Sequence, residues 1–312
     1  MTDLNLPTVS VCIPTQDRRH LLPALIHCMR HQDYPHELIE WVVVDDGQDQ
    51  VEDMFADFDN LVYLPLYNRM CIGAKRNLMN EISTGQIIVA MDDDDYYPPT
   101  RISHAVKMFQ ESPWATVAGC RMCRLYVSRL DSIYIAGPYS FNYTHAHAMA
   151  YRREALVDNR FDDSDCRTEE LAFLANTPIV DLNPSLSVLH IVHGTNTIEK
   201  ERLLSIHYEA GLVKESPLKL EDVVDQQIAH FYSQQGSCSP VGEEHRNLHD
   251  SLIAAESVVS AGTNDIGHVE ETRLLKKRLS QMERLLACRN PGLPRRKSQH
   301  DLAPFVEPPL FQ

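Results

Sequence analysis

The sequence contains no run of the roughly 18 consecutive apolar residues that a membrane-spanning helix requires, and it is short of positive charge. Lys and Arg number 29 against 44 Asp and Glu, a formal net charge of -15. That balance argues against a sequence-independent grip on nucleic acid, which needs a basic face, and against adhesion to an anionic membrane surface. The first seven residues are short and polar, so no signal peptide is expected there, and the chain is expected to be soluble and cytoplasmic. No internal repeat is found. The turn after the first apolar run, Thr15-Gln16-Asp17-Arg18, has no glycine, which disfavours a glycine-rich phosphate loop. The eight cysteines are scattered. Cys12 and Cys120 lie in apolar runs, as reduced core thiols would. Cys120 and Cys123 form a lone C-x-x-C without a second pair or spaced histidines, and read as two unrelated thiols on a strand, not a zinc site.

What is present is an alternation of short apolar runs with helical patterns over residues 8 to about 120, the signature of βαβ units around a mostly parallel sheet. Strands are predicted at 9–13, 39–44, 62–66 and 87–91, and helices at 20–31 and 72–82. Pro98-Pro99 opens another helix whose inner face is Ile102, Ala105, Val106 and Phe109. From 115 to 195 the pattern is mixed, with strands near 116–120, 133–136, 146–151 and 187–192 and a helix near 169–175. This stretch is expected to complete the same domain. After residue 200 helices dominate, at 220–232, 243–260 and 268–287. The last has a heptad-like seam under two heptads long, which fits packing onto the domain or a homo-oligomeric contact. Residues 289–312, rich in Pro and charge, read as a mobile tail. The expected division is therefore 1–200, 201–288 and 289–312.

In open α/β sheets ligands bind outside the carboxyl ends of the strands. Three of the first four predicted strands end in groups suited to a nucleoside diphosphate: Thr15-Gln16-Asp17-Arg18, Asp45-Asp46-Gly47 and Asp92-Asp93-Asp94-Asp95. Polar βα loops are common, but four consecutive aspartates repel one another unless a cation or solvent relieves them. Hard carboxylate oxygens of this kind suit Mg²⁺ or Mn²⁺. Lys75 and Arg76 stand on the helix after Gly73 and are candidates to meet a diphosphate. Adjacent helical residues point about 100° apart, so one of the two is expected to make that contact.

The ordered set Val9-Ser10-Val11-Cys12-Ile13-Pro14-Thr15, Val42-Val43-Val44-Asp45-Asp46-Gly47, Gly73-Ala74-Lys75-Arg76-Asn77 and Gly85-Gln86-Ile87-Ile88-Val89-Ala90-Met91-Asp92-Asp93-Asp94-Asp95 resembles the signature of glycosyltransferase family 2. Thr168-Glu169-Glu170-Leu171-Ala172-Phe173-Leu174 and His193-Gly194-Thr195-Asn196-Thr197 are similar to a branch of that family found in large DNA viruses and phages. The likeness covers about the first 200 residues. It implies a GT-A fold, a Rossmann-like mixed and mostly parallel sheet flanked by helices, to which the helical patterns after residue 200 add a C-terminal extension. It implies metal-dependent, inverting transfer of a sugar from a nucleotide-sugar, commonly UDP-linked, to a glycan, protein, lipid-linked or nucleobase acceptor.

The resemblance also distributes roles. Thr15, Asp17 and Arg18, with Asp45 or Asp46, would hold the nucleoside, and Lys75, Arg76, Asp92 and Asp93 would complete the nucleotide-sugar site. Asp92 and Asp94 would form the D-x-D pair, with Asp94 the direct ligand of Mn²⁺ or Mg²⁺ and His193 completing the shell. Inversion needs one general base for the acceptor hydroxyl, and Glu169 and Glu170 are the candidates; their other role would be charge at a helix N-terminus. Tyr143-Thr144-His145-Ala146-His147 is expected to line the sugar or acceptor pocket, or to form a strand with exposed histidines. Two other readings compete: a metal-dependent nucleotidyltransferase or phosphohydrolase using the aspartate run, and a non-catalytic binding module on the same fold.

Overall fold

The computed structural model describes residues 6–166, 168–174, 177–193, 196 and 213–235. These belong to one unit that ends at Gly236. The helices predicted at 243–260 and 268–287 and the tail at 289–312 lie outside the described residues.

Seven strands make the main sheet. β1 (Val9–Thr15), β2 (Ile39–Asp45), β3 (Leu61–Pro65) and β4 (Ile87–Ala90) run parallel, followed by β8 (Ala150–Arg152), β5 (Val117–Gly119) and β9 (Ile179–Asp181). Their spatial order is β3-β2-β1-β4-β8-β5-β9. Among the described residues only the pairings made by β8 are antiparallel in this sheet; β5 and β9 pair in parallel. The sheet is therefore mixed and mostly parallel. A smaller sheet carries β6 (Cys123–Val127), β7 (Ser132–Ala136), β10 (His190–Val192) and β11 (Val213–Glu215) in the order β10-β6-β7-β11.

The apolar runs are continuous because both faces of the main sheet are covered. Val9, Val11 and Ile13 of β1 face one core, packed with Leu22, Leu25 and Met29 of α1 (Leu22–Arg30) and Ile102, Val106 and Phe109 of α3 (Arg101–Glu111). Cys12, Val42, Val44 and Ile88 face the other, packed with Met79 of α2 (Ile72–Ile82) and Phe173 and Leu174 of α4 (Glu170–Leu174). This is the period-two alternation of strand side chains. The final described helix, Gln226–Gln235, places Ile228, Ala229 and Tyr232 in the first of these cores. Together with β11 on β7, it puts residues 213–235 on the same unit as the strands. Among the described residues no helix is long and apolar enough to cross a membrane.

Several expectations need correction. β1 does not stop before Pro14 but continues to Thr15. Proline lacks only a donor, and Pro14 keeps its register opposite Val44. The strand expected at 146–151 is a short 3-10 turn, Ala146–Ala148, before the three-residue β8. The sequence reading missed β6. Cys120 and Cys123 do not share a strand, since Cys120 follows β5 and Cys123 opens β6. Cys71 and Cys166, given no pairing by the sequence, are joined by a disulfide, while Cys12, Cys28, Cys120 and Cys123 are buried. The bonded pair meets because the start of α2 packs directly on the loop at 162–165. A Cβ on Gly73 would lie 1.9 Å from the carbonyl oxygen of Asp162, and the Gly73 N–H donates to Asp165 O at 3.1 Å.

Candidate functional site

The carboxyl ends of β1, β2 and β4 deliver their loops to one edge of the sheet, and α2, the start of α4 and the end of β10 close around it. The loop after β2 is built by its own acids. Asp45 is fully buried; its oxygens accept the N–H groups of Gly47 at 2.8 Å and Val51 at 3.0 Å and the Tyr63 hydroxyl at 2.6 Å. Asp45 thus shapes the loop. Asp17 adopts a left-handed φ of 52°, a conformation that Asp tolerates better than most residues. Its Oδ1 accepts the N–H groups of Gln48 at 2.6 Å and Asp49 at 3.1 Å. The Asp49 bond is the main reason its pKa lies below the usual carboxylate range.

Lys75 and Arg76 diverge, as adjacent residues on a helix must. Lys75 is buried, pairs with Asp46 and donates to Thr15 O at 3.1 Å. Asp46 also accepts the Met70 N–H at 2.8 Å. Arg76, also buried, reaches the other way. Its Nε donates to Glu169 Oε1 at 2.8 Å and its Nη2 to Asp92 Oδ1 at 2.9 Å. Burial works against the Arg76 cation, but Asp92 and Glu169 outweigh it and raise its pKa.

The four aspartates after β4 have four different environments. Asp92 is the most open, with 27% of its side chain exposed, and its N–H donates to the Tyr97 hydroxyl at 2.6 Å. Asp93 is buried against Thr15 Oγ1 at 2.8 Å and Arg18 Nη1 at 2.8 Å; burial pushes its pKa up to about 6 despite Arg18. Asp94 Oδ2 accepts from Arg18 Nη1 at 2.6 Å and Asn196 Nδ2 at 3.1 Å, and lies 3.3 Å from His193 Nε2. Asp95 is fully buried. It accepts the Ile191 N–H at 2.9 Å and meets His190 Nδ1 at 2.8 Å, which ties the loop to β10. Arg18 is the cation that now balances Asp93 and Asp94, and those two hold its pKa above the ordinary value against the cost of burial.

Asp92, Asp94 and Asp95 each offer an oxygen, all within 4.8 Å of one another. Three hard oxygen donors at this spacing fit a cation of the Mg²⁺ or Mn²⁺ type better than a soft one. Asp95 entered the sequence reading only as part of the aspartate run, without a role of its own, and its neighbour His190 is 95 residues away. Asn196 was quoted there only as part of a motif, without a role of its own. It holds His193 by accepting the His193 N–H at 2.7 Å.

Glu169 and Glu170 separate in the same way. Glu169 is buried and bound to Arg76. Glu170 accepts the Tyr143 hydroxyl at 2.8 Å on Oε1. Burial, and then the neighbouring Glu169 carboxylate, push the Glu170 carboxyl up to about 7. A carboxyl at that value takes a proton near neutral pH far more readily than an ordinary one.

Residues 10–159 match the family model described as glycosyl transferase family 2. Among curated proteins, the chain is 28% identical over 126 residues to a glucosyl-dolichyl phosphate glucuronosyltransferase of Haloferax volcanii. The match covers 39% of this chain and 40% of that protein, so the chain spans about two fifths of the length of the curated relative. Among solved structures, it is similar to a mannosyltransferase of Pyrobaculum calidifontis in complex with GDP-Man and Mn²⁺. That pair has 16% identity and a TM-score of 0.49, covering 90% of this chain and 85% of the other. It is also similar to residues 1–349 of S. aureus TarS in complex with UDP-GlcNAc, with 19% identity and a TM-score of 0.48, covering 80% of this chain and 81% of that one. Residues 10–159 are thus similar to glycosyl transferase family 2, and the mixed, mostly parallel sheet is of the GT-A-like kind.

Proposed function

We propose that this protein transfers a sugar from a nucleotide-sugar to an acceptor hydroxyl with inversion, using Glu170 as the base and a divalent cation held by Asp92 and Asp94 with Asp95. The observation that carries the reading is Arg76. One buried guanidinium joins Asp92 on the acidic loop to Glu169, the neighbour of Glu170, so the leaving-group side and the base side of the reaction are fixed relative to each other.

The leaving group of a nucleotide-sugar is its nucleoside diphosphate, and a divalent ion held by these acids would supply a Lewis acid for the negative charge that develops on it. The protein's own residues do the rest. Arg18 is only 18% exposed and borders the acids, where its guanidinium can meet the diphosphate. Asp17 and Thr15 border the same edge for the nucleoside. Asp45, Asp46 and Lys75 act by holding the loops in place. Glu170 takes the proton from the acceptor hydroxyl as it attacks, and its value near 7 suits that task. UDP is the donor nucleotide we favour, and residues 1–200 are the catalytic part in this reading. Residues 213–235 pack with that part, and the rest of 201–288 would be an extension and 289–312 a tail.

Incubation with a panel of nucleotide-sugars and Mn²⁺, scored for slow hydrolysis of the sugar bond, tests the reading. Release of a nucleoside diphosphate and free sugar is expected from one or a few donors. Cleavage within the diphosphate instead would make the protein a phosphohydrolase. No turnover and no Mn²⁺-dependent stabilisation by nucleoside diphosphates would leave only a binding module.

A further inference from the structure

The segment at 143–147 was expected to line a pocket or to form a strand with exposed histidines; in the structure His147 is buried and the Tyr143 hydroxyl is aimed at Glu170. The Tyr143 hydroxyl donates to Glu170 Oε1 at 2.8 Å and also lies 3.2 Å from His145 Nδ1. The rings are held from several sides. Tyr139 meets Tyr143 edge-on at 5.5 Å and His145 edge-on at 5.0 Å. His145 stacks on His147 at 5.4 Å with 7° between the planes. The Tyr143 N–H donates to Ser140 O at 3.1 Å.

The proton count then sets the direction of the chain. A phenol has one proton to donate. Glu170 as a carboxylate can only accept, so the phenol proton belongs to that bond. His145 Nδ1 must therefore carry a hydrogen and donate to the Tyr143 oxygen. Reversing the order would place two acceptors against each other at the carboxylate, in a site where an unmet buried group is costly. Burial and the Glu170 carboxylate raise the Tyr143 pKa, so the phenol remains a donor. Besides Tyr143, Glu170 is faced by Glu169 on its own segment and by Arg76 from α2.

We propose that Tyr143 and His145 form a positioning pair for Glu170, in which His145 Nδ1–H orients the phenol and the phenol occupies Oε1, leaving Oε2 to take the acceptor proton. This rests on the reading of Glu170 as the base. Neither ring touches the reacting atoms. Their effect is on which oxygen reacts and on the proton affinity of the carboxylate, because a hydrogen bond to the charged form favours it.

The test uses Glu170→Gln, Tyr143→Phe, His145→Phe and His145→Gln in the full chain. It follows the pH dependence of Mn²⁺-supported hydrolysis of whichever nucleotide-sugar the panel selects, with affinity for UDP measured separately. Tyr143→Phe is expected to move the acid limb of kcat up by about one pH unit, with UDP affinity unchanged. His145→Phe should give a smaller shift in the same direction, and His145→Gln, whose amide can still donate, should restore the limb. An unmoved limb in Tyr143→Phe, or His145→Phe and His145→Gln behaving alike, overturns the pair. If Glu170→Gln alone abolishes activity while the others are silent, the base stands and the pair falls. If Glu170→Gln stays active, or no donor in the panel is turned over, the base reading falls and takes the pair with it.

Discussion

Arg76 and Glu169 are joined by a buried hydrogen-bonded ion pair of 2.8 Å, with side-chain exposures of only 4% and 6%. The same guanidinium reaches Asp92, so two carboxylates from distant parts of the chain depend on one cation. A planar fork can serve both at once, and a point charge cannot.

Arg76→Met should therefore destabilise the domain by about 3–5 kcal/mol, because it leaves buried carboxylate charge unpaired. Arg76→Lys should recover part of that stability without recovering sugar transfer, since an ammonium reaches only one of the two acids. Urea denaturation alongside donor hydrolysis checks both. A stable, active Arg76→Lys would show that the bridging is dispensable.

Asp94→Ala should abolish turnover and the Mn²⁺ dependence of UDP binding while leaving the fold intact. A loop carboxylate is not a packing element, and Arg18 keeps Asp93 as its partner. Thermal shift with UDP, with and without Mn²⁺, is the measurement. A ligand at 100 times its dissociation constant adds about 2.7 kcal/mol, so loss of the metal-dependent part is readily seen. Metal dependence surviving in Asp94→Ala but lost in Asp92→Ala would move the principal ligand to Asp92.

Much of the architecture was legible because it is local. The strands of the βαβ half are continuous apolar runs, and α2 was predicted at its observed bounds, Ile72–Ile82. β6 and β8 were not legible as they stand. β6 is interrupted by the buried Arg124, and β8 has three residues, too few for a period. The candidate site was legible as a set of residues but not as a set of pairings. Nothing in the spacing indicates that Lys75 turns to Asp46 while Arg76 turns to Glu169, or that Asp45 is consumed by Tyr63. The likeness of Asp93 and Asp94 in sequence also conceals their difference: Asp93 meets Thr15, and Asp94 meets Asn196 and His193. The Cys71–Cys166 bond was invisible because its partners are brought together by the fit of Gly73 on the loop at 162–165.

That fit gives a third prediction. Gly73→Ala places a methyl group 1.9 Å from a backbone oxygen, which no rotamer change can relieve. The start of α2 and the loop at 162–165 must move apart, and overpacking of this kind costs about 1–3 kcal/mol. Because that loop leads into Glu169 and Glu170, transfer should fall more than UDP affinity does. Equal losses in both would mean that the displacement spreads to the nucleotide side.

The fourth prediction concerns pH and has opposite signs for two observables. The Glu170 carboxyl is raised from an ordinary 4.5 to about 7 by burial and by Glu169. The base must be ionised to accept a proton, so transfer should rise as pH passes through about 7. Stability should move the other way. Between about 4.5 and 7 the folded protein binds more of this proton than the unfolded chain does, so the contribution is complete below the unfolded value and is lost as pH rises through the folded one. The shift corresponds to about 3 kcal/mol at most, spread over that window. Glu170→Gln is a neutral stand-in for the protonated acid and keeps an oxygen for Tyr143. It should match the parent protein in stability near pH 4.5 and exceed it near pH 8, while abolishing the rise in transfer. Denaturant titrations at several pH values, paired with initial rates, provide both curves. A stability difference between the two proteins that stays constant with pH would place the raised carboxyl elsewhere, even if the variant were inactive.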